Sequence, residues 1–310
     1  MAFEPRTIAL LGFGEAGSTI GRGLADAAGW RGAARPGDNA SRRLIAIDTA
    51  LDLDTRGEAL GREARRLGIE IARDYTAALS EADLVICAVQ GEFAHDAARA
   101  AAPLLKPGAH FLDLCTVTGR MAEEDRAAIE TGRGRYTDVA VMGGFFKQGT
   151  KAPMLLAGPD AALLADWMNA NGFSVRVLGD TPGRASSVKM VRSVLIKGLE
   201  ALGVEALVTA RRQGILQEVL DCLADADNMP FRDYLAMLVQ THVVHAHRRW
   251  EEMGLVARTL EETGVPPLMT RAIEANHRRT VDAHIAPPDG RVPPLEDALT
   301  LLSRKVIGGE

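Results

Sequence analysis

Six runs in the first half of the chain are apolar at nearly every position: Thr7–Gly12, Arg43–Asp48, Asp83–Val89, Ala109–Leu114, Thr137–Met142 and Pro153–Gly158. A strand with one face in water alternates apolar and polar residues. Unbroken runs predict strands buried on both faces of a mostly parallel sheet. Between them lie Ala-, Glu- and Arg-rich segments of helical period, such as Thr55–Leu67 and Met121–Thr131. Strand and helix in alternation predict a doubly wound α/β domain.

The pattern changes near Gly179–Gly183. From Arg184 onward the chain predicts only helices: Ala185–Gln213, Ile215–Ala226, Phe231–Glu262, Pro267–His284 and Pro294–Val306. Gly254 marks a place where the third could break, and Pro266-Pro267 and Pro293-Pro294 stand where helices start. The expected division is therefore an α/β domain over 1–181 and an all-helical domain over 182–310. The helix Phe231–Glu262 carries more apolar residues than one core-facing stripe needs: Leu235, Met237, Leu238, Val239, Val243, Val244 and Trp250. That surplus predicts a homodimer or larger oligomer built through the helical domain.

Gly12, Gly14 and Gly17 fall in the spacing G-x-G-x-x-G, after an apolar strand and before an amphipathic helix. The first glycine permits a tight turn, the second lets the backbone approach a pyrophosphate, and the third lets helix and strand pack closely. The free N–H groups of the helix start add partial positive charge. This context favours a Rossmann-type dinucleotide site over a structural turn. Asp48 closes the second strand, where an acid accepts from the ribose hydroxyls. It comes later than the usual spacing of about 20 residues, a delay that the polar insertion Gly29–Arg43 accounts for. Asp48, Asp52 and Asp54 favour NAD over a 2′-phosphorylated cofactor, while Arg56 leaves NADP open. Arg42 and Arg43 precede the strand, at the far end of the sheet. The expected cofactor contacts are Gly12, Phe13, Gly14, Glu15, Ala16, Gly17, Asp48, Val89 and Thr116.

A hydride carrier needs a proton-transfer group beside it. Lys189, Ser193 and Lys197 form one polar stripe at i, i+4 and i+8 on the first long helix of the second half. Val188, Met190 and Val191 predict partial burial of Lys189, which lowers a lysine pKa toward a useful range. For Lys197 a solvent-facing role stands equal to a functional one. Gly143 and Gly144 follow a strand at its carboxyl end, where they either hold a substrate carboxylate on bare N–H groups or form a flexible hairpin.

These segments, in this order, resemble the β-hydroxyacid dehydrogenase family, relatives of 6-phosphogluconate dehydrogenase, over most of the chain. "DVAVMGGFFKQGTKAPMLLAG" resembles the family's substrate motif, and "GRASSVKMVRS" its catalytic motif, which implies Lys189 as the acid/base. "DLCTVTG" resembles the loop carrying a Ser or Thr beside the nicotinamide, implying Thr116. "ASSVKMVRSVLIKGLEAL" and "HAHRRWEEM" are similar to a bacterial subgroup with a distinctive helical carboxyl-terminal domain. Ala140 and Met142 stand where the family has Pro and Ser, and Ser193 where it has Asn. The lost hydroxyl and amide remove two hydrogen bonds that orient a small hydroxyacid, so the resemblance implies a substrate larger or more apolar on one side.

Composition narrows the alternatives. With 310 residues, 25% charged and a net charge of -5, the chain reads as a soluble protein with no general attraction for nucleic acid or anionic membrane. "MAFEPRTIALLG" does not read as a signal peptide, no apolar run is long enough to span a bilayer, and three unpaired-spacing cysteines point to the reducing cytoplasm. Cys87 and Cys115 read as small buried hydrophobes. His242, His245 and His247 lack an acid or cysteine at ligand spacing, and Arg248 and Arg249 oppose a cation, so no metal is expected. His245 or Arg249 is a candidate contact for a substrate carboxylate. Three functions remain open: a dehydrogenase or reductase acting on a carboxylate-bearing, hydroxyacid-like small-molecule substrate; a decarboxylating or imine-reducing variant; and a non-catalytic nucleotide-binding regulator, against which Lys189 argues.

Overall fold

The computed structural model describes residues 3–27, 30, 42–52, 54–72, 74–285 and 291–308. Most of the insertion 29–43 lies outside these, as do the side chains of Asp52, Asp54 and Arg56. The chain forms two compact units, Met1–Ser193 and Val194–Glu310.

The first unit is built on eight strands: β1 (Thr7–Leu11), β2 (Arg43–Ile47), β3 (Glu70–Ile71), β4 (Leu84–Cys87), β5 (His110–Asp113), β6 (Arg135–Val141), β7 (Pro153–Ala157) and β8 (Ser174–Gly179). They form one sheet in the order β3-β2-β1-β4-β5-β6-β7-β8. All neighbours are parallel except β6 and β7. The six expected strands are present, and β3 and β8 are additional. Helices α1 (Glu15–Ala27), α2 (Asp54–Leu67), α3 (Tyr75–Glu81), α4 (Gly91–Ala101), α5 (Gly119–Thr131), α6 (Phe145–Gln148) and α7 (Ala161–Ala170) connect them. Apolar residues bury on both faces: Ile8, Leu10 and Ile86 in one cluster, Ala9, Val85 and Cys87 in another. That two-sided burial is why the strand sequences show no alternation.

The second unit contains the later part of α8 (Arg184–Gln213), then α9 (Leu216–Leu223), α10 (Phe231–Glu262), α11 (Leu268–Asp282), α12 (Leu295–Leu302) and a closing turn, Ser303–Ile307. The division falls inside α8, at 193/194 rather than at the expected 181/182. The first turns of α8 are bonded to the sheet, so they belong to the α/β unit despite their helical pattern. α10 does not break at Gly254. A Cβ there would stand 3.2 Å from Glu274 Oε1, so the missing side chain lets α11 approach. No helix among the described residues is long and apolar enough to cross a membrane.

Candidate active site

Register sets the level of the site. Leu11, Cys87 and Asp113 end β1, β4 and β5 in register, so the loops that follow leave the sheet side by side, while β6 runs three residues beyond Asp138, the partner of Asp113. Sequence order reverses between β1 and β4, the crevice where doubly wound sheets bind ligands.

Close backbone approaches hold these loops together. Gly12 has φ +94°, and a Cβ there would lie 2.7 Å from the Ala88 carbonyl oxygen, so both its conformation and its space require glycine. A Cβ on Gly17 would lie 1.9 Å from the Gly12 oxygen, which fixes α1 hard against its own turn. One strand further along, a Cβ on Gly91 would meet the Thr116 oxygen at 2.5 Å. These approaches hold the Gly12–Gly17 turn tight against the end of β4 and bring the N-terminus of α1 to the crevice, an arrangement that fits a dinucleotide pyrophosphate at the start of α1.

Asp48 directly follows β2 and braces this turn. Its Oδ2 accepts from the Phe13 N–H at 2.7 Å and its Oδ1 from the Ala50 N–H at 2.8 Å. Each oxygen retains a lone pair for a ribose hydroxyl. The Phe13 side chain is fully buried in the core, so only its backbone faces the loop. Gly14 and Ala16 are half-buried in the turn and Glu15 is exposed at the start of α1. Val89 is half-buried after β4. Thr116 is exposed, whereas Thr118 is committed as the N-cap of α5, its Oγ1 accepting from Met121 N–H at 3.2 Å.

Two contacts place the start of α8 over the ends of β5 and β6. Gly183 has φ +84°, and a Cβ there would lie 2.5 Å from the Gly119 oxygen. Buried Asp138 accepts from the Ser186 N–H at 3.0 Å and from its hydroxyl at 2.6 Å. Lys189 follows one turn later and is half-buried, although Val188 and Val191 beside it are exposed, and Ser193 follows one turn beyond. Lys197 lies past the division, in the second unit, and is exposed. Gly143 and Gly144 are exposed after β6, with open space where a Cβ would stand. The connection is a hairpin in topology, but it is folded: Phe145 is buried and α6 packs on α1.

Sequence reasoning missed Asp113, Asp138 and Ser186. Asp113 is buried, its Oδ1 accepting from Cys115 N–H at 2.9 Å and its Oδ2 from the Tyr136 hydroxyl at 2.9 Å. Burial pushes the Asp113 and Asp138 carboxyls above the usual range. The Cys87 and Cys115 sulfurs are 3.6 Å apart, and contact with Cys87 together with burial raises the Cys115 thiol. These two sulfurs and an Asp113 oxygen lie within 4.8 Å of one another, the one group of possible metal ligands among the described residues. Both carboxylate oxygens are already engaged and the thiol is held protonated, so the cluster reads as a packed polar core. An acid inside an otherwise apolar strand, as in "FLDL" and "TDVAV", was the available signal.

The glycine-lined sheet edge, the acid following β2 and the helical second unit define a Rossmann-type protein of the 3-hydroxyacid dehydrogenase-like class. Residues 210–280 match a domain of unknown function, DUF1932. A conserved hypothetical protein from Sinorhizobium meliloti is 35% identical, over 97% of this chain and 96% of that one, with a TM-score of 0.57. The conserved protein MTH1747, whose structure shows similarity with 3-hydroxyacid dehydrogenases, is 27% identical over 89% of this chain and 97% of its own, with a TM-score of 0.56. The fold extends to an imine reductase from Myxococcus stipitatus solved with NADP+, 17% identical over 90% of this chain and 95% of that one, with a TM-score of 0.70. The chain belongs to the β-hydroxyacid dehydrogenase-like family, in the subgroup whose helical carboxyl-terminal part carries DUF1932.

Proposed function

We propose that this chain is an NAD(P)-dependent oxidoreductase that acts on a hydroxyacid-like substrate, with Lys189 as its general acid/base. The observation that carries the reading is the joint placement, within one unit, of the glycine turn that opens α1 and a half-buried lysine on the helix whose start Asp138 holds through Ser186. A nicotinamide supplies a hydride acceptor or donor when bound. The chain's part is to seat it on the N–H groups of the Gly12–Gly17 turn, to hold its ribose through Asp48, and to pass a proton at the substrate oxygen through Lys189. Thr116, Gly143, Gly144 and Ser193 are the polar groups available to orient that substrate. Asp48 disfavours a 2′-phosphate by charge, so NAD is the preferred cofactor.

The fold shared with the imine reductase from Myxococcus stipitatus supports a second reading in which the acceptor is a C=N bond. Lys189 then protonates nitrogen, and no residue changes its place. Screening NADH- and NADPH-linked turnover across ketoacids, hydroxyacids and cyclic imines separates the two. Absence of turnover with every class would leave a nucleotide-binding regulator and contradict the proposal.

A further inference from the structure

Within the helical unit, α10, α11 and the closing turn line an open cleft of about 460 Å³. This is within the usual range for small-molecule sites. One side is apolar, formed by Leu238, Val239, Leu302 and Val306. The closing turn is tied down over it, Arg279 Nε donating to the Val306 carbonyl oxygen at 2.9 Å.

The other side is polar and holds an unbalanced positive charge. The His242 and His277 rings stack at 4.7 Å between centroids. His242 Nε2 lies 2.8 Å from Thr280 Oγ1, whereas His277 Nδ1 is buried without a hydrogen-bond partner. Burial first, then the neighbouring positive groups, hold both imidazoles below their ordinary range, His242 at about 4. At neutral pH both rings are therefore uncharged and Arg249 supplies the charge facing the cleft. Arg249 donates to the neutral Thr241 hydroxyl at 2.9 Å, and no carboxylate among the described residues pairs with it. Arginine stays charged in any protein environment and its fork matches a carboxylate. A buried imidazole nitrogen left without a partner is costly unless something occupies it.

We infer that this cleft binds a small organic carboxylate with an unbranched apolar tail. The carboxylate meets Arg249 and, as acceptor, the Nδ1–H tautomer of His277, while the tail lies along Leu238, Val239 and Leu302. Every residue named belongs to the helical unit, so the inference does not depend on the nicotinamide reading.

The test uses the full chain without nicotinamide, titrated by calorimetry with acetate, butanoate, hexanoate, hexanol and inorganic phosphate. Affinity should rise from acetate to hexanoate, and hexanol should bind at least about tenfold more weakly than hexanoate, as loss of a charge-assisted pair implies. Arg249→Gln should weaken hexanoate by a similar factor. His277→Phe keeps the ring volume, removes the donor and should weaken it severalfold. Unchanged helical circular dichroism and an unchanged urea midpoint in each variant show that the fold is intact. The inference is overturned if hexanoate fails to bind at millimolar concentration, if hexanol or phosphate binds as well, or if folded Arg249→Gln retains full affinity. If Arg249→Gln does not fold, full hexanoate affinity in His277→Phe overturns it.

Discussion

Lys189 stands one helical turn past a serine whose amide and hydroxyl are both held by a buried carboxylate. Those bonds fix the start of α8, and positioned general acids contribute roughly 100- to 10,000-fold in rate. Lys189→Met keeps the chain length and packing but removes the proton, so kcat should fall within that range while NADH affinity holds. Lys189→Arg should also be impaired, because guanidinium does not deprotonate near neutral pH. Ser193→Ala should cost less, since a hydroxyl only orients its neighbours. Steady-state kinetics on the substrate found by screening decide this, and near-normal turnover in Lys189→Met would refute the assignment. The lysine and the glycines were legible because each sits in a local motif. The pairing of Asp138 with Ser186 was not: Asp138 stands out as an acid in an apolar strand, but Ser186 lies 48 positions away and is ordinary in its own segment.

At the scale of elements, the joint of the helical unit is Glu205, on the inner face of α8. Its carboxylate receives the Met269 N–H at 2.5 Å, and the Thr270 N–H and hydroxyl at 3.0 and 2.8 Å, capping α11 from another helix. Burial pushes this carboxyl up, and the three donors more than offset that, leaving it below the usual range. Glu205→Ala removes the acceptor and strands those donors, which should cost about 2–3 kcal/mol. Urea unfolding should show the loss, and a midpoint within error of wild type would contradict the cap. α10 and α11 were legible from sequence because long periodic segments declare themselves. The strands β3 and β8 were not: the first spans two residues, and the second lies at the sheet edge with mixed exposure, so neither shows an unbroken apolar run. The continuity of α10 through Gly254 was also hidden. An interior glycine costs about 1 kcal/mol, and packing on α11 outweighs that.

Over the whole molecule, the two-part architecture was readable from the switch in hydrophobic period. Its division was misplaced, because contacts, not period, assign the first turns of α8 to the sheet. The surplus expected on α10 is not there, since of its seven named residues only Leu238 is exposed; exposed apolar side chains lie instead on α8, where Val191, Val194 and Val204 are 73%, 77% and 61% exposed. We expect a second copy of the chain to cover such a surface. Light scattering at micromolar concentration should give at least twice the 33.1 kDa chain mass, and a monomer would exclude this. The central claim, a nicotinamide seated on the Gly12–Gly17 turn and selected by Asp48, is tested most directly by calorimetric titration of the wild-type chain with NADH and NADPH. The account predicts saturable NADH binding at about one site per chain, with NADPH weaker and gaining on NADH in Asp48→Ser. No saturable heat with either nucleotide would contradict it.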